Sequence, residues 1–447
     1  MNILFITYGG FRSNSLNHIS VFAEGLATLG HACCVAVPHG IVERTLIPQS
    51  GFTNCLHSDL LNTPSPFLDG RQADIIHAWT PRNGVLETLL GYQRRIPAPA
   101  RVIVHLEDNE QHLLSSTAGV HFSDLLLWSE RRLGKLLKKG LVHPVRHQLL
   151  LAVADVVTVI TPALADFVPA GTLISNLHPG IDGRFFNTPG IDHDLSKRFG
   201  LGPNYRVIVY PGGANLTNAD DLRTLYSAVA LLNQRGYSVK LVRTGPSTPW
   251  FIATLAPDEQ ACSIELGFVE RACIPQLLSI ADVLVQPGRP DPFNDYRLPS
   301  KIPEFLAAGK PVVLPATNIA LQMRDGFEAL FLNEGSSEDI ANCCERIFND
   351  PLLAKRLGIA GRSFAEKNFD ATVNCRHLET LYKEVLSRPP VADWSLIRRR
   401  GYDEADLFPL ASGRVTPGNI LELAQRRRNC WQHLLNVFLG SFFDFFS

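Results

Sequence analysis

A short apolar strand that closes on a glycine pair and runs into an amphipathic helix occurs twice in this chain, and that recurrence constrains the fold most. Ile3–Thr7 ends at Gly9-Gly10, and Leu16, Ile19, Phe22, Leu26 and Leu29 follow at helical spacing, closed by Gly30. Cys33–Val37 then reads as the next strand. The pattern restarts at Val207–Tyr210, passes through Pro211-Gly212-Gly213, and continues into a helix with Leu222, Leu225, Val229 and Leu232 on one side. Further strands are expected at 74–77, 101–105 and 156–160, then at 239–242, 263–266, 283–286 and 311–314. Helices are expected at 275–281 and 300–308. Strands alternating with helices predict α/β architecture with doubly wound parallel sheets, one in each half of the chain. The turn-rich stretch from His178 to Asn187 marks the boundary. The expected division is 1–185, 186–386 and a C-terminal extension, 387–447.

Composition narrows the function classes. With 42 Lys+Arg against 43 Asp+Glu in 447 residues, the chain lacks the overall basic excess of a nucleic-acid binder. At 45% hydrophobic and 19% charged residues it is globular rather than disordered. The nine cysteines are scattered, without a CxxC pair, which fits reduced thiols and a cytoplasmic setting and gives no zinc-binding pattern. The opening Met-Asn-Ile-Leu-Phe-Ile-Thr reads as a core strand rather than a leader, and no apolar run reaches bilayer-spanning length.

Open α/β sheets bind ligands at the carboxyl ends of their strands. If two such edges face each other across a cleft, one can hold a donor and the other an acceptor, which by analogy suits a two-substrate transferase. The most informative stretch runs from Gln286 to Val313. A Pro-rich loop follows a strand, Ser300 stands where an N-cap would open a helix, and Gly309 closes that helix. Free N–H groups at the helix start, with Arg297 and Lys301, would suit a diphosphate. Glu304, one turn on, could accept two hydrogen bonds from a ribose diol.

These residues spell Pro-x-Lys-x-x-Glu-x-x-Ala-x-Gly-x-Pro-Val, which resembles the donor site of retaining GT-B glycosyltransferases, especially family 4. The resemblance covers roughly residues 1 to 385. Its other anchors are Gly9-Gly10, Gly30-His31, Leu177-His-Pro-Gly-Ile-Asp182, Tyr210-Pro-Gly-Gly213, Leu266-Gly-Phe268 and Ala281-Asp-Val-Leu-Val285. It implies two Rossmann-like domains facing across a cleft, a nucleotide-diphosphate-sugar donor, a ribose contact at Glu304, and no metal or other cofactor. Two departures stand out. Where the family has a first Glu eight positions before the second, this chain has Tyr296, with Asn294 and Asp295 as the nearest polar substitutes. The family's Arg and Lys after the second glycine pair are missing from Gly212-Gly-Ala-Asn-Leu-Thr-Asn-Ala-Asp220, which leaves Arg243, Arg297 and Lys301 as candidate phosphate cations.

In the first domain, His105 ends a strand and precedes Glu107, Asp108 and Glu110. The resemblance implies that a His here lies close to the transferred sugar, and the three acids would take acceptor hydroxyls; a solvated acidic loop beside a structural His is the alternative. His77, Trp79 and Arg82 follow a second strand and could wall an acceptor site, Trp by stacking and Arg by pairing, or Trp79 could simply pack. Gly9, Gly10, Gly212 and Gly213 serve either ligand approach or plain turns.

The function expected from these residues is transfer of a sugar to an acceptor hydroxyl with retention, in glycan, glycolipid or polysaccharide synthesis. A sugar-nucleotide epimerase or phosphorylase on the same fold is the alternative. A degenerate scaffold protein, suggested by Tyr296, is a third. A nicotinamide dehydrogenase fits badly, because no G-x-G-x-x-G follows the first strand. The extension carries Arg398-Arg-Arg400 and Arg426-Arg-Arg428, with Trp431, Leu434, Leu435, Phe438 and Phe442 at helical spacing. Residues 426–447 thus suit an interfacial helix on the inner face of an anionic membrane, or a helix packed on the protein or a partner.

Overall fold

A computed structural model of the chain describes residues 1–10, 13–39, 51–62, 65–188, 190, 192–215, 218–246 and 249–394. Arg398-Arg-Arg400 and the proposed interfacial helix at 426–447 lie outside these residues. Two compact units emerge: Met1–Pro179 together with the described chain from Asn374 onward, and Gly180–Val373.

Among the described residues the first unit holds seven strands: β1 (Asn2–Thr7), β2 (Ala32–Val37), β3 (Thr53–Leu56), β4 (Ile75–Trp79), β5 (Arg101–Leu106), β6 (Val156–Val159) and β7 (Ile174–Asn176). They pair in parallel in the order β3-β2-β1-β4-β5-β6-β7. The second unit holds β8 (Arg206–Pro211), β9 (Val239–Thr244), β10 (Ser263–Glu265), β11 (Val283–Val285), β12 (Val312–Pro315) and β13 (Leu330–Leu332), in the order β10-β9-β8-β11-β12-β13, again parallel. In both sheets the strand order reverses beside the first strand, between β1 and β4 and between β8 and β11. Crevices open at the carboxyl ends of such a pair. The loops of interest leave these strands: Gly9-Gly10 after β1, Thr80–Arg82 after β4, Gly212-Gly213 after β8 and the loop from Gln286 after β11.

The helical stripes pack as their spacing demands. Leu16, Ile19, Phe22 and Leu26 of the helix Asn14–Thr28 are buried against Ile3, Phe5, Val35 and Trp79. Leu29, expected in the same stripe, is exposed, because the helix ends at Thr28 and Leu29 is its C-cap. In the second unit, Leu222, Leu225, Val229 and Leu232 of the helix Ala219–Gln234 are buried against Ile208, Leu241 and the helix Ser337–Asn349. Each fully buried leucine contributes about 2 kcal/mol of transfer free energy.

The helix Ala371–Ser387 packs in the first unit. Cys375, Leu378, Leu381, Tyr382 and Val385 join the core around Phe5 and Trp79. Beyond it the chain stays tied to that sheet: Arg101 donates to the carbonyls of Arg388 and Pro389, and the Val391 N–H donates to Asp155.

A small repeated device fixes the amino ends of three strands. Ala73-Asp74, Ala154-Asp155 and Ala281-Asp282 each lead into a strand, and each carboxylate accepts from a backbone N–H of the neighbouring strand. The donors are Asn2 (2.7 Å), Val102 (2.8 Å) and Val207 (2.8 Å). Arg101 and Arg206 add ion pairs to Asp155 and Asp282. Among the described residues, no helix is long and apolar enough to cross a membrane.

Candidate functional site

In the second unit, the segments that follow β8 and β9 approach so closely that a side chain on Gly213 or Gly245 would collide with the other segment. A Cβ on Gly213 would stand 2.9 Å from Pro246 Cδ, and one on Gly245 would stand 2.3 Å from the Gly213 nitrogen. Gly245, at φ +107°, donates its N–H to the Gly267 carbonyl at 2.7 Å. Lys301 extends into the space beside Gly212, with its ammonium 4.9 Å from the centre of the Tyr210 ring. The glycine pair therefore does more than turn the chain: it leaves room for a cation at the carboxyl end of β8.

The other expected cations are held differently. Arg243 is 1% exposed; its Nε donates to Glu265 at 2.7 Å and its Nη1 to the Gly212 carbonyl at 3.2 Å. The Tyr226 hydroxyl also donates to Glu265. Arg243 thus reaches the glycine loop through a backbone carbonyl, with its charge met by Glu265. Arg297 donates to Asn294 Oδ1 at 3.1 Å and lies 4.1 Å from the centre of the Phe293 ring.

Asn294 and Asp295 brace their own loop. Asn294 is buried and donates to the Arg289 carbonyl and to Asp291, and Asn318 Nδ2 donates to its carbonyl. Thr317 donates to Asp295. Asp221 sits near this loop, and burial pushes its carboxyl up, against the pull of Arg297.

The helix that carries Lys301 and Glu304 spans Lys301–Ala307. Ser300 precedes it, but its side chain makes no capping bond and its backbone is already helical, whereas Gly309 closes the helix at φ +68° as expected. Glu304, one turn beyond Lys301, is buried and paired with Arg271 Nη2 at 2.7 Å. No sequence signal ties Arg271 to Glu304, because it lies 33 residues upstream, in the short turn that follows Leu266-Gly-Phe268.

In the first unit, the carboxyl ends of β1, β4 and β5 collect a polar cluster. Arg82 donates to both oxygens of Glu110 at 2.9 and 3.0 Å, stands 3.8 Å from Asp108, and stacks over Tyr8 at 3.7 Å. Glu107 accepts from Ser15 and pairs with His18 at 3.1 Å. Burial alone would raise the Glu107 carboxyl, but His18, His105 and Ser15 outweigh it and hold it at about 2. Burial wins at Glu110, raising it to about 7 against Arg82. His105 is 1% exposed, shares a 2.9 Å hydrogen bond with Thr158, and is lowered to about 4 by burial, so it is neutral at pH 7. Tyr8, Ser15 and His18 are new members of this cluster; Ser15 and His18 gave no signal beyond following the first glycine turn.

His77 and Trp79, expected to wall an acceptor site, are buried at 0% and 1% exposure and present no face to a ligand here. His77 bonds Tyr382 at 2.8 Å and Thr158 at 3.1 Å. Trp79 packs on Phe5, Phe22 and His105. They sit beneath the cluster, and Arg82 alone of the three joins it. Gly9 makes room for Ser13, which caps the helix Asn14–Thr28, and Gly10 accepts from the Ser13 N–H.

Comparison with known proteins bears on both units. HepE of Anabaena, solved with UDP-glucose, superposes with a TM-score of 0.63 at 18% identity, over 86% of this chain and all of that one. WaaG, a glycosyltransferase involved in lipopolysaccharide biosynthesis, gives 0.59 at 15% identity over 85% and 99%. The fold is GT-B.

Within this GT-B chain, residues 205–350 match the family described as "Glycosyl transferases group 1". Among curated proteins, the putative glycosyltransferase EpsD of Bacillus subtilis is 24% identical over 315 residues, 67% of this chain and 73% of EpsD. The D-inositol 3-phosphate glycosyltransferase of Thermobifida fusca is 26% identical over 203 residues, 42% of this chain and 44% of that protein. The family match and these relatives support a glycosyltransferase. The matched segment holds Gly212, Gly213, Arg243, Arg271, Lys301 and Glu304.

Proposed function

We propose that this chain is a retaining glycosyltransferase that moves a sugar from a nucleotide-diphosphate donor to an acceptor hydroxyl, in the synthesis of a glycan, glycolipid or polysaccharide. The observation that carries this reading is Lys301 lying against Gly212 with Glu304 one turn along the same helix, all inside the family-matched segment. Lys301 neutralises the departing diphosphate oxygens, with Arg297 as second cation, and Glu304 accepts from the ribose diol. The UDP-glucose bound by HepE makes a UDP-sugar the first donor to try.

In the reaction, the bond from the anomeric carbon to the phosphate oxygen breaks and a bond to the acceptor oxygen forms on the same face. The acceptor proton passes to the leaving phosphate. Arg82 with Glu107, Asp108 and Glu110 takes acceptor hydroxyls, and neutral His105, buried beneath them against Trp79 and Thr158, backs this cluster rather than touching the sugar. No metal or organic cofactor takes part, so turnover should survive EDTA. The setting is cytoplasmic, with residues 426–447 as a peripheral membrane contact.

Nucleotide release from UDP-, GDP- and ADP-sugars, measured with and without acceptor sugars, tests the reading. Lys301→Ala and Glu304→Ala should each lower kcat/KM by roughly 100-fold. NMR of the product should show the donor's anomeric configuration kept. Release without any acceptor would favour the epimerase alternative, and unchanged turnover in Glu304→Ala would remove the donor assignment.

A further inference from the structure

Arg271 opens a short 3-10 turn, Arg271–Cys273, just after the Gly267-Phe268 bend. Its side chain is 46% exposed, and its Nη2 donates to Oε1 of Glu304, whose side chain is only 9% exposed. The guanidinium also lies 5.3 Å from the centre of the Phe185 ring, an aromatic face that is itself buried. The loop bearing Arg271 is anchored to the glycine-rich loops, because the Gly245 N–H donates to the Gly267 carbonyl while Gly245 backs onto Gly213. Arg271, Glu304, Lys301 and Gly212 therefore form one connected neighbourhood of the second unit.

We infer that Arg271 is a positioning residue that sets the carboxylate of Glu304 for recognition of the nucleotide ribose, an inference that rests on the ribose role of Glu304 proposed above. An ionised carboxylate has about four lone-pair sites, and the Arg271 bond takes one of them while fixing the plane of the group. The Arg271 guanidinium also lies over the Phe185 ring, which limits where the pair can go. A carboxylate held in place before the nucleotide arrives binds the diol without first losing its own freedom. Removing a ribose hydroxyl then leaves a buried acceptor short of its donor, which turns the arrangement into discrimination between ribose and deoxyribose.

Calorimetric binding of UDP, GDP and ADP, each beside its 2′-deoxy form, tests this in the full chain carrying Arg271→Gln, Arg271→Lys, Glu304→Gln or the double substitution. Arg271 is half-exposed, so Arg271→Gln should fold, which its melting temperature checks. For the ribonucleotide that binds, Arg271→Gln should weaken affinity by roughly 3- to 10-fold while hardly changing its 2′-deoxy form, so the discrimination ratio shrinks. Arg271→Lys should recover part of the ratio, and the double variant should lose no more than Glu304→Gln alone. Wild-type discrimination in Arg271→Gln, or tighter ribonucleotide binding, overturns the inference and leaves Glu304 in place. Wild-type discrimination in Glu304→Gln, or no binding by any of the three nucleotides, overturns the ribose reading and this inference with it.

Discussion

Lys301 and Gly212 compete for one small space: a Cβ on Gly212 would stand 2.5 Å from Lys301 Cε and 3.0 Å from its Nζ. The two nearest obstructing atoms are the far end of a flexible side chain, so the ammonium can move aside, and Tyr210 Cε1 at 3.2 Å need give only a few tenths of an ångström. Gly212→Ala should therefore change unfolding free energy by less than about 1 kcal/mol in urea titrations. Nucleoside diphosphate binding should weaken roughly tenfold, a change of about 1.4 kcal/mol. Adding Lys301→Ala should bring little further loss, because both changes remove the same cation from the same place.

Gly245 is the opposite case. Its φ of +107° is foreign to residues with a side chain, and its Cβ would meet the Gly213 nitrogen at 2.3 Å, a backbone atom that cannot swing aside. Gly245→Ala should destabilise the second unit by about 3 kcal/mol or more, read from the urea midpoint. The two substitutions together distinguish a glycine that makes room for a charge from one that the chain path itself requires.

What the sequence revealed follows from how local each signal was. The strands at the switch points are fully buried runs such as Ile3–Ile6 and Val283–Val285, and their apolar character alone announced them. The strands β3, β7 and β13 were not anticipated. The first two lie at the edges of their sheet and are only partly buried, so Thr53–Leu56 and Ile174–Asn176 carry no apolar run. Lys301 and Glu304 were legible because one helix turn joins them. Arg271, Tyr8, Ser15 and His18 were not, because their partners lie far away in sequence. Trp79 shows the limit of residue type as a signal: an indole after a polar strand end suits a sugar or a core, and three-dimensional packing decided for the core.

Arg243 and Glu265 form an ion pair with unequal sides, the guanidinium 1% and the carboxylate 33% exposed. Removing the carboxylate strands a charge in the interior, while removing the guanidinium leaves a carboxylate that water can reach. Glu265→Gln should therefore destabilise by about 3 kcal/mol and Arg243→Met by less, with the double variant well short of the sum. Because Nη1 of Arg243 also holds the Gly212 carbonyl, Arg243→Met should in addition loosen the glycine loop, read as faster amide exchange at Gly212 and Gly213.

Glu107 should make the first unit sensitive to acid in a defined window. Burial opposes its charge, but His18, His105 and Ser15 hold its carboxyl at about 2, below the 4.5 of an unperturbed glutamate. A lowered carboxyl contributes stability above the unfolded value, and that stability is lost as pH falls from 4.5 through 2. The difference of 2.5 pH units corresponds to at most about 3 kcal/mol. Two neighbours titrate in other windows. His105, lowered by burial from 6.5 to about 4, costs stability between those values as pH falls. Glu110, raised by burial from 4.5 to about 7, runs the other way, since its protonation between pH 7 and 4.5 relieves a buried charge. Glu107→Gln should therefore be clearly less stable than the parent chain at pH 6, and the two urea midpoints should converge as pH falls from 4.5 to 2. Midpoints that stay parallel through that window would show that the carboxylate is not held by Ser15 and the two histidines.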